Sequence, residues 1–197
     1  MEILSKIIIA ALFAAVLENT VLTRAFGTST VIIASRNKKQ SAVFGLCITY
    51  ISTVSSIPVY FVDKYLSVSE SGYLYLPVIY IAIIGVVYIL TLLLLWKYAY
   101  KFFTAVRKFV HFSAFNSAVL GALFINGLKN DTIWEYIGYG FGTGIGFFIA
   151  SLMIADSYEQ LTSPEIPESF QGVPVIMIYI GIISMAFFAL TGKIPLV

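Results

Sequence analysis

Residues 18–23 read ENTVLT and stand inside an apolar run that extends from Lys6 to Phe26. A membrane helix ordinarily avoids such residues, because a carboxylate at the bilayer midplane is costly unless it is paired. Glu18 is therefore either a cation, proton or ligand contact at a helix break, or a structural residue. In the structural case it is kept neutral by hydrogen bonds or paired with Arg24, about two turns along. A second interruption, NSAVLG at residues 116–121, is similar. Laid over ENTVLT with Glu18 on Asn116, it shares Val-Leu with a polar pair before it. One stretch lies in the first apolar segment and the other in the fourth. That register predicts two inverted repeats of three helices whose interrupted members meet at the midplane. Glu18, Asn19, Thr20, Asn116 and Ser117 form the candidate midplane polar site, with Ser113 and His111 just before the second break.

The chain around these stretches is a membrane sequence. Of 197 residues, 59% are hydrophobic and 11% charged, against roughly a quarter charged in soluble domains, and the mean hydropathy is +0.93. A water-soluble globule is excluded. Apolar segments of spanning length run from about Lys6 to Phe26, Ser41 to Val62, Tyr73 to Tyr98, Ala105 to Asn126, Ile133 to Tyr158 and Val173 to Thr191. The expected fold class is an all-α integral membrane protein. It is one domain, 1–197, with six transmembrane helices in repeat halves of about 1–100 and 101–197. Met1 to Leu17 resembles a signal peptide, but it holds one lysine, Lys6, and no clean cleavage site, so it reads as the first span.

Positive charge sorts the loops. Arg36, Lys38 and Lys39 follow span one, and Lys97, Lys101, Arg107 and Lys108 lie between spans three and four, so both loops are expected in the cytoplasm. The loops with Asp63, Lys64 and Glu70, and with Lys129 and Asp131, are expected outside, as are both termini. The acidic loop with Asp156, Glu159, Glu165 and Glu168 is cytoplasmic by parity. Thr28 to Ser35 (TSTVIIAS) is too apolar for a loop and too short to cross, which predicts a re-entrant segment. Ser163 to Pro174 is rich in proline and predicts a rigid, irregular connector. Gly138, Gly142 and Gly146, with Gly140 and Gly144 offset by two, predict a helix with two faces for close backbone approach.

Other chemistries lack residues. The lone Cys47 allows neither an internal disulfide nor a multi-cysteine metal site. No basic stretch interleaved with aromatics serves nucleic acid, and no phosphate loop, nucleophile elbow or zinc-helix signature is present. Trp96, Trp134, Tyr98, Tyr100 and Tyr158 fit an aromatic belt at the lipid interface, and His111 beside Arg107 and Lys108 reads as an interfacial residue.

The stretches ENTVLTRAFG (18–27), NSAVLGALFIN (116–126), YGFGTGIGFF (139–148) and IPESFQGVPVIMIYIGIISMAFFALTG (166–192) together resemble one family. It comprises the A-type subunits of Rnf ion-translocating electron-transport complexes and their NqrE counterparts in sodium-pumping NADH:quinone oxidoreductases. The resemblance covers nearly the whole chain. It implies a six-helix fold of two inverted halves and a sister subunit of opposite topology. It also implies flavin-bearing and soluble redox partners, and residence in the cytoplasmic membrane of a prokaryote. It further implies a [2Fe-2S] cluster shared with the sister subunit, to which each of the pair gives two cysteines. In this chain those positions are Ser29 and Ser117, with Thr30 where the family often has proline. Serine hydroxyls are hard, normally protonated donors, whereas such clusters are held by thiolates. The expectation is a divergent subunit of an ion-translocating oxidoreductase complex without its own cluster ligands. The alternative is a redox-inactive inverted-repeat transporter or assembly scaffold, with Glu18, Asn19, Asn116 and Ser117 lining its site.

Overall fold

The computed structural model describes residues 2–66 and 74–191, with side chains to residue 189. Met1, Glu70, Tyr73 and Gly192, which enter the sequence reading, lie outside the described residues. Among the described residues the chain is helical and holds no strand.

Helix α1, Glu2–Leu12, runs into a π-helical turn at Phe13–Leu17 and stops at Glu18, whose backbone (φ −118°, ψ 40°) has left the helix. Asn19 restarts the chain as the N-cap of α2, Thr20–Arg24, its side-chain oxygen accepting from the Val21 and Leu22 amides at 3.1 and 3.2 Å. Asparagine suits this place because its short acceptor satisfies amides that have no partner in the first turn. Ala25 (φ 57°) and Gly27 (φ 75°) are both left-handed and turn the chain into α3, Thr28–Ala34. Glycine adopts this conformation freely, whereas alanine does so at a cost of about 1 kcal/mol. Helix α3 occupies the predicted re-entrant segment.

Helix α4, Lys38–Leu66, carries Pro58 internally. The hydroxyls of Thr49, Thr53 and Ser56 each donate to the carbonyl four residues back, at 2.6–2.7 Å, which lets polar side chains sit in an apolar setting. Helix α5 is Leu76–Tyr98. Helices α6, Tyr100–Ala114, and α7, Ser117–Lys129, are one segment bent by 51° at Phe115 and Asn116. Helix α8, Ile133–Leu161, opens with Glu135 accepting from the Thr132 amide at 3.0 Å. After the irregular stretch with its short 3-10 turn at Glu168–Phe170 comes α9, Val173–Thr191.

Helices α4, α5 and α8 are each long and apolar enough to cross a membrane, and α6 with α7 makes a fourth crossing if counted as one bent span. The first and last of the six expected segments differ. One is divided at Glu18 and Asn19, and the apolar helix of the other is shorter.

Helix α8 is the core, with 61% of its apolar window buried against 17% for α5. Its glycines explain the difference. Gly138, Gly142 and Gly146 face α1 and the π-helical turn, while Gly140 and Gly144 face α4. A Cβ on Gly142 would lie 2.2 Å from the Ala11 carbonyl oxygen, and one on Gly144 would lie 2.3 Å from the Thr49 Cα. Without side chains, helix backbones meet and dispersion contacts replace the hydrophobic drive that lipid does not supply. Ser52 adds a hydrogen bond across this contact, to the Gly140 carbonyl at 2.6 Å, and Lys38 pairs with Asp156 at one end.

Candidate functional site

The two helix breaks carry the polar residues singled out in the sequence, and the structure sets them in a register one residue away from the sequence overlay. Asn116 is the N-cap of α7, accepting from the Ala118 amide at 2.9 Å, as Asn19 is of α2. Asn19 therefore corresponds to Asn116 and Thr20 to Ser117, while Phe115 stands where Glu18 stands. Matching Val-Leu pairs shifted the overlay. What fixes the correspondence is the residue whose backbone leaves the helix and whose side chain caps the next one.

Breaks and turns converge. The Gly27 amide donates to the Ser117 hydroxyl at 2.8 Å. A Cβ on Gly27 would lie 2.7 Å from the Asn116 side-chain oxygen and 2.8 Å from the Ala118 Cβ, so only glycine admits this approach. Phe26 packs over Gly121. Ser29 lies two residues beyond Gly27, in the first turn of α3, and both Ser29 and Ser117 are exposed on this chain.

Glu18 is 2% exposed. Its carboxylate pairs with the Lys129 ammonium and accepts from the Tyr139 hydroxyl at 3.2 Å. The sequence offered Arg24 as a partner and left Lys129 in an outside loop. The structure makes Lys129 the last residue of α7, pairs it with Glu18 and sets its ammonium 5.2 Å from the Phe13 ring centroid. Lysine can bury its methylenes while its charged end finds a partner. Ser117 and Lys129 are opposite ends of α7, about 18 Å apart at 1.5 Å per residue. Glu18 thus pairs with the last residue of α7, while Asn116 and Ser117 lie at its first turn.

Asn19 ties the first break to the core, donating to the carbonyls of Ala15 at 3.0 Å and Gly146 at 2.8 Å. Asn116 differs, because its amide nitrogen is buried without a hydrogen-bond partner, as is the Thr20 hydroxyl. Ser113, also picked out in the sequence, is buried at the end of α6. His111 stays at the surface with its Nδ1 3.1 Å from the Tyr88 hydroxyl.

A second carboxylate cluster escaped the sequence reading. Asp63, expected in an outside loop, lies inside α4 and accepts from the hydroxyls of Tyr80 and, at 2.8 Å, Tyr136. Beside it, Asn126 donates to the Tyr136 carbonyl at 3.0 Å and accepts from Asn130 at 2.6 Å. Asp63, Tyr136 and Asn130 border a cleft of about 310 Å³ that also includes Asp131 and Lys64. A polar asparagine near the end of an apolar run was the available signal, but the pairing of tyrosines from α5 and α8 is tertiary. Among the described residues no three His, Cys, Asp or Glu side chains converge to hold a metal ion.

In comparisons with known proteins, residues 4–194 match the family model described as an Rnf-Nqr subunit, membrane protein. The chain is similar to the A-type subunit of the ion-translocating oxidoreductase complex of Actinobacillus pleuropneumoniae. The two are 26% identical over 182 residues, covering 92% of this chain and 94% of that one. The protein of the same name from Aliivibrio fischeri is 29% identical over 179 residues, or 90% and 92% of the two chains. That from Pasteurella multocida is 26% identical over 191 residues, or 97% and 100%.

Proposed function

The chain belongs to the Rnf-Nqr family of membrane subunits, and from that premise we propose that it is the A-type subunit of an ion-translocating oxidoreductase complex in the cytoplasmic membrane of a prokaryote. Its similar proteins carry the name of the A-type member of such a complex, so it works among other subunits. These are a sister membrane subunit of opposite topology and flavin-bearing and soluble redox subunits. The chain crosses the bilayer six times as two inverted three-helix halves, about 1–100 and 101–197, with both termini outside. The observation that carries this reading is the matched pair of breaks. Asn19 and Asn116 cap equivalent helices, and the Gly27 amide joins the turn after the first break to Ser117 at the second.

The residues do not fit a [2Fe-2S] cluster of the family's kind. At the two cysteine positions stand Ser29 and Ser117, and the Ser117 hydroxyl oxygen already accepts the Gly27 amide hydrogen. Cys47 is a single thiol buried in α4, and soft thiolates, not hydroxyls, hold such clusters. The protein is a divergent member in which the joint between its halves is closed by a hydrogen bond, and the electron route lies in its partners. Low-temperature EPR and visible spectra of the purified assembly test this. The expected result is that no [2Fe-2S] signal changes in Ser29→Ala or Ser117→Ala, and a signal that vanishes in either variant overturns it.

A second reading, a redox-inactive transporter or assembly scaffold, is favoured by the buried Glu18 with its Lys129 partner, since an intramembrane ion pair marks a charge pathway by default. Glu18→Gln separates a coupling role from a structural one. The expected outcome is at least a tenfold loss of ion translocation in proteoliposomes with normal assembly, and unchanged translocation makes Glu18 structural.

A further inference from the structure

A groove of about 580 Å³ runs along the outside of the molecule between α4, α5 and α6. Val43 and Leu46 of α4, Leu95 and Tyr98 of α5, and Phe102 and Val106 of α6 give it apolar walls. Farther in, the hydroxyls of Tyr50 and Thr91 lie 3.4 Å apart across it. From Val43 to Ile51 the α4 wall rises about 12 Å, most of the roughly 15 Å that one leaflet contributes to the hydrocarbon core. A groove of that length suits an acyl chain of one leaflet. A partner's transmembrane helix would need a groove through both.

The open end of the groove is cationic. Lys39 lies one turn before Val43 on the same face of α4, Lys97 and Lys101 flank the junction of α5 and α6, and Arg107 follows Val106 farther along α6. All four are exposed, and none forms an ion pair among the described residues. The acidic side chains at this end do not neutralise them. Asp156 is taken by Lys38, and Glu159 belongs to α8, which packs on the opposite face of α4 against Gly45 and Thr49.

We propose that this groove binds an anionic phospholipid, one acyl chain lying between α4, α5 and α6 and the phosphate held by Lys39 with Lys97 and Lys101. Each part of the ligand meets its own chemistry, since basic groups at a membrane surface attract anionic headgroups and the apolar walls take the chain. The inference is independent of any redox role.

Native mass spectrometry of the full chain in detergent, titrated with phosphatidylglycerol or phosphatidylcholine of the same acyl composition, tests it. One phosphatidylglycerol is expected to bind at least tenfold more tightly than phosphatidylcholine. Lys39→Glu should remove most of that preference and Lys39→Gln part of it. Leu46→Trp, which fills the groove, should abolish retention of the lipid, while helix content measured by circular dichroism stays that of the parent. Equal binding of the two lipids, or full phosphatidylglycerol preference in both Lys39→Glu and Leu46→Trp, overturns the proposal. So does loss of a co-purifying protein in Leu46→Trp with lipid binding unchanged, because the groove is then a protein interface.

Discussion

The two helix breaks have the same cap and opposite electrical characters. At the first, Asn19 spends its whole side chain: its oxygen caps α2, and its nitrogen bonds Ala15 and Gly146. Next to it stands a buried carboxylate answered by Lys129 and Tyr139. At the second, Phe115 occupies the place of Glu18, and the Asn116 amide nitrogen is left without a partner. The backbone device for interrupting a helix has been used twice, whereas charge has been placed at only one copy. A broken helix in lipid thus needs a cap and an adjoining protein surface, and the ionic group is an addition with its own purpose.

Removing Lys129 should expose that difference most strongly. Lys129→Met removes the cation paired with the buried Glu18 carboxylate, and because the lysine end is partly exposed the loss is about 2–3 kcal/mol, short of that for a pair buried at both ends. A large fall in resistance to denaturant in detergent micelles is expected, partly recovered by adding Glu18→Gln. No recovery in the double variant would mean that the lysine stem, not the charge, is what matters. Asn19→Ala comes next. It removes a cap and two buried hydrogen bonds together, about 2 kcal/mol. Asn116→Ala should cost about 1 kcal/mol, because only the cap is lost. Equal losses in the two asparagine variants, measured by the same unfolding titration, would erase the distinction between the breaks. Ser117→Ala should be mildest, about 0.5 kcal/mol, since the hydroxyl is exposed and gives up a single bond from Gly27. A loss as large as that of Asn19→Ala would make Ser117 a principal fastening between the two helix breaks.

Much of this was legible in the sequence, for reasons that hold locally. ENT and NSA in apolar runs announced the interruptions, because asparagine and serine compete for backbone amides wherever they occur. Five glycines in nine residues announced a helix with two bare faces, and α1 and α4 lie on those faces. The partner of Glu18 was not legible. Lys129 is 111 residues away in the chain, and only the antiparallel return of α7 brings its end to the first break. The same holds for Asp63. Hydropathy puts it beyond a span, and that tyrosines from two separate helices donate to it is set by packing. The one-residue offset between the Val-Leu match and the cap match has a related origin, since side-chain identity repeats in one register and backbone geometry in another.

Helix α8 presses bare backbone on two neighbours at once, with α1 on one side and α4 on the other. A rod clamped from two directions can neither slide nor roll by part of a turn without driving atoms into main chain. These three helices therefore form a fixed spine. Any movement is left to helices outside that spine, among them α5, which lies mostly against the surroundings.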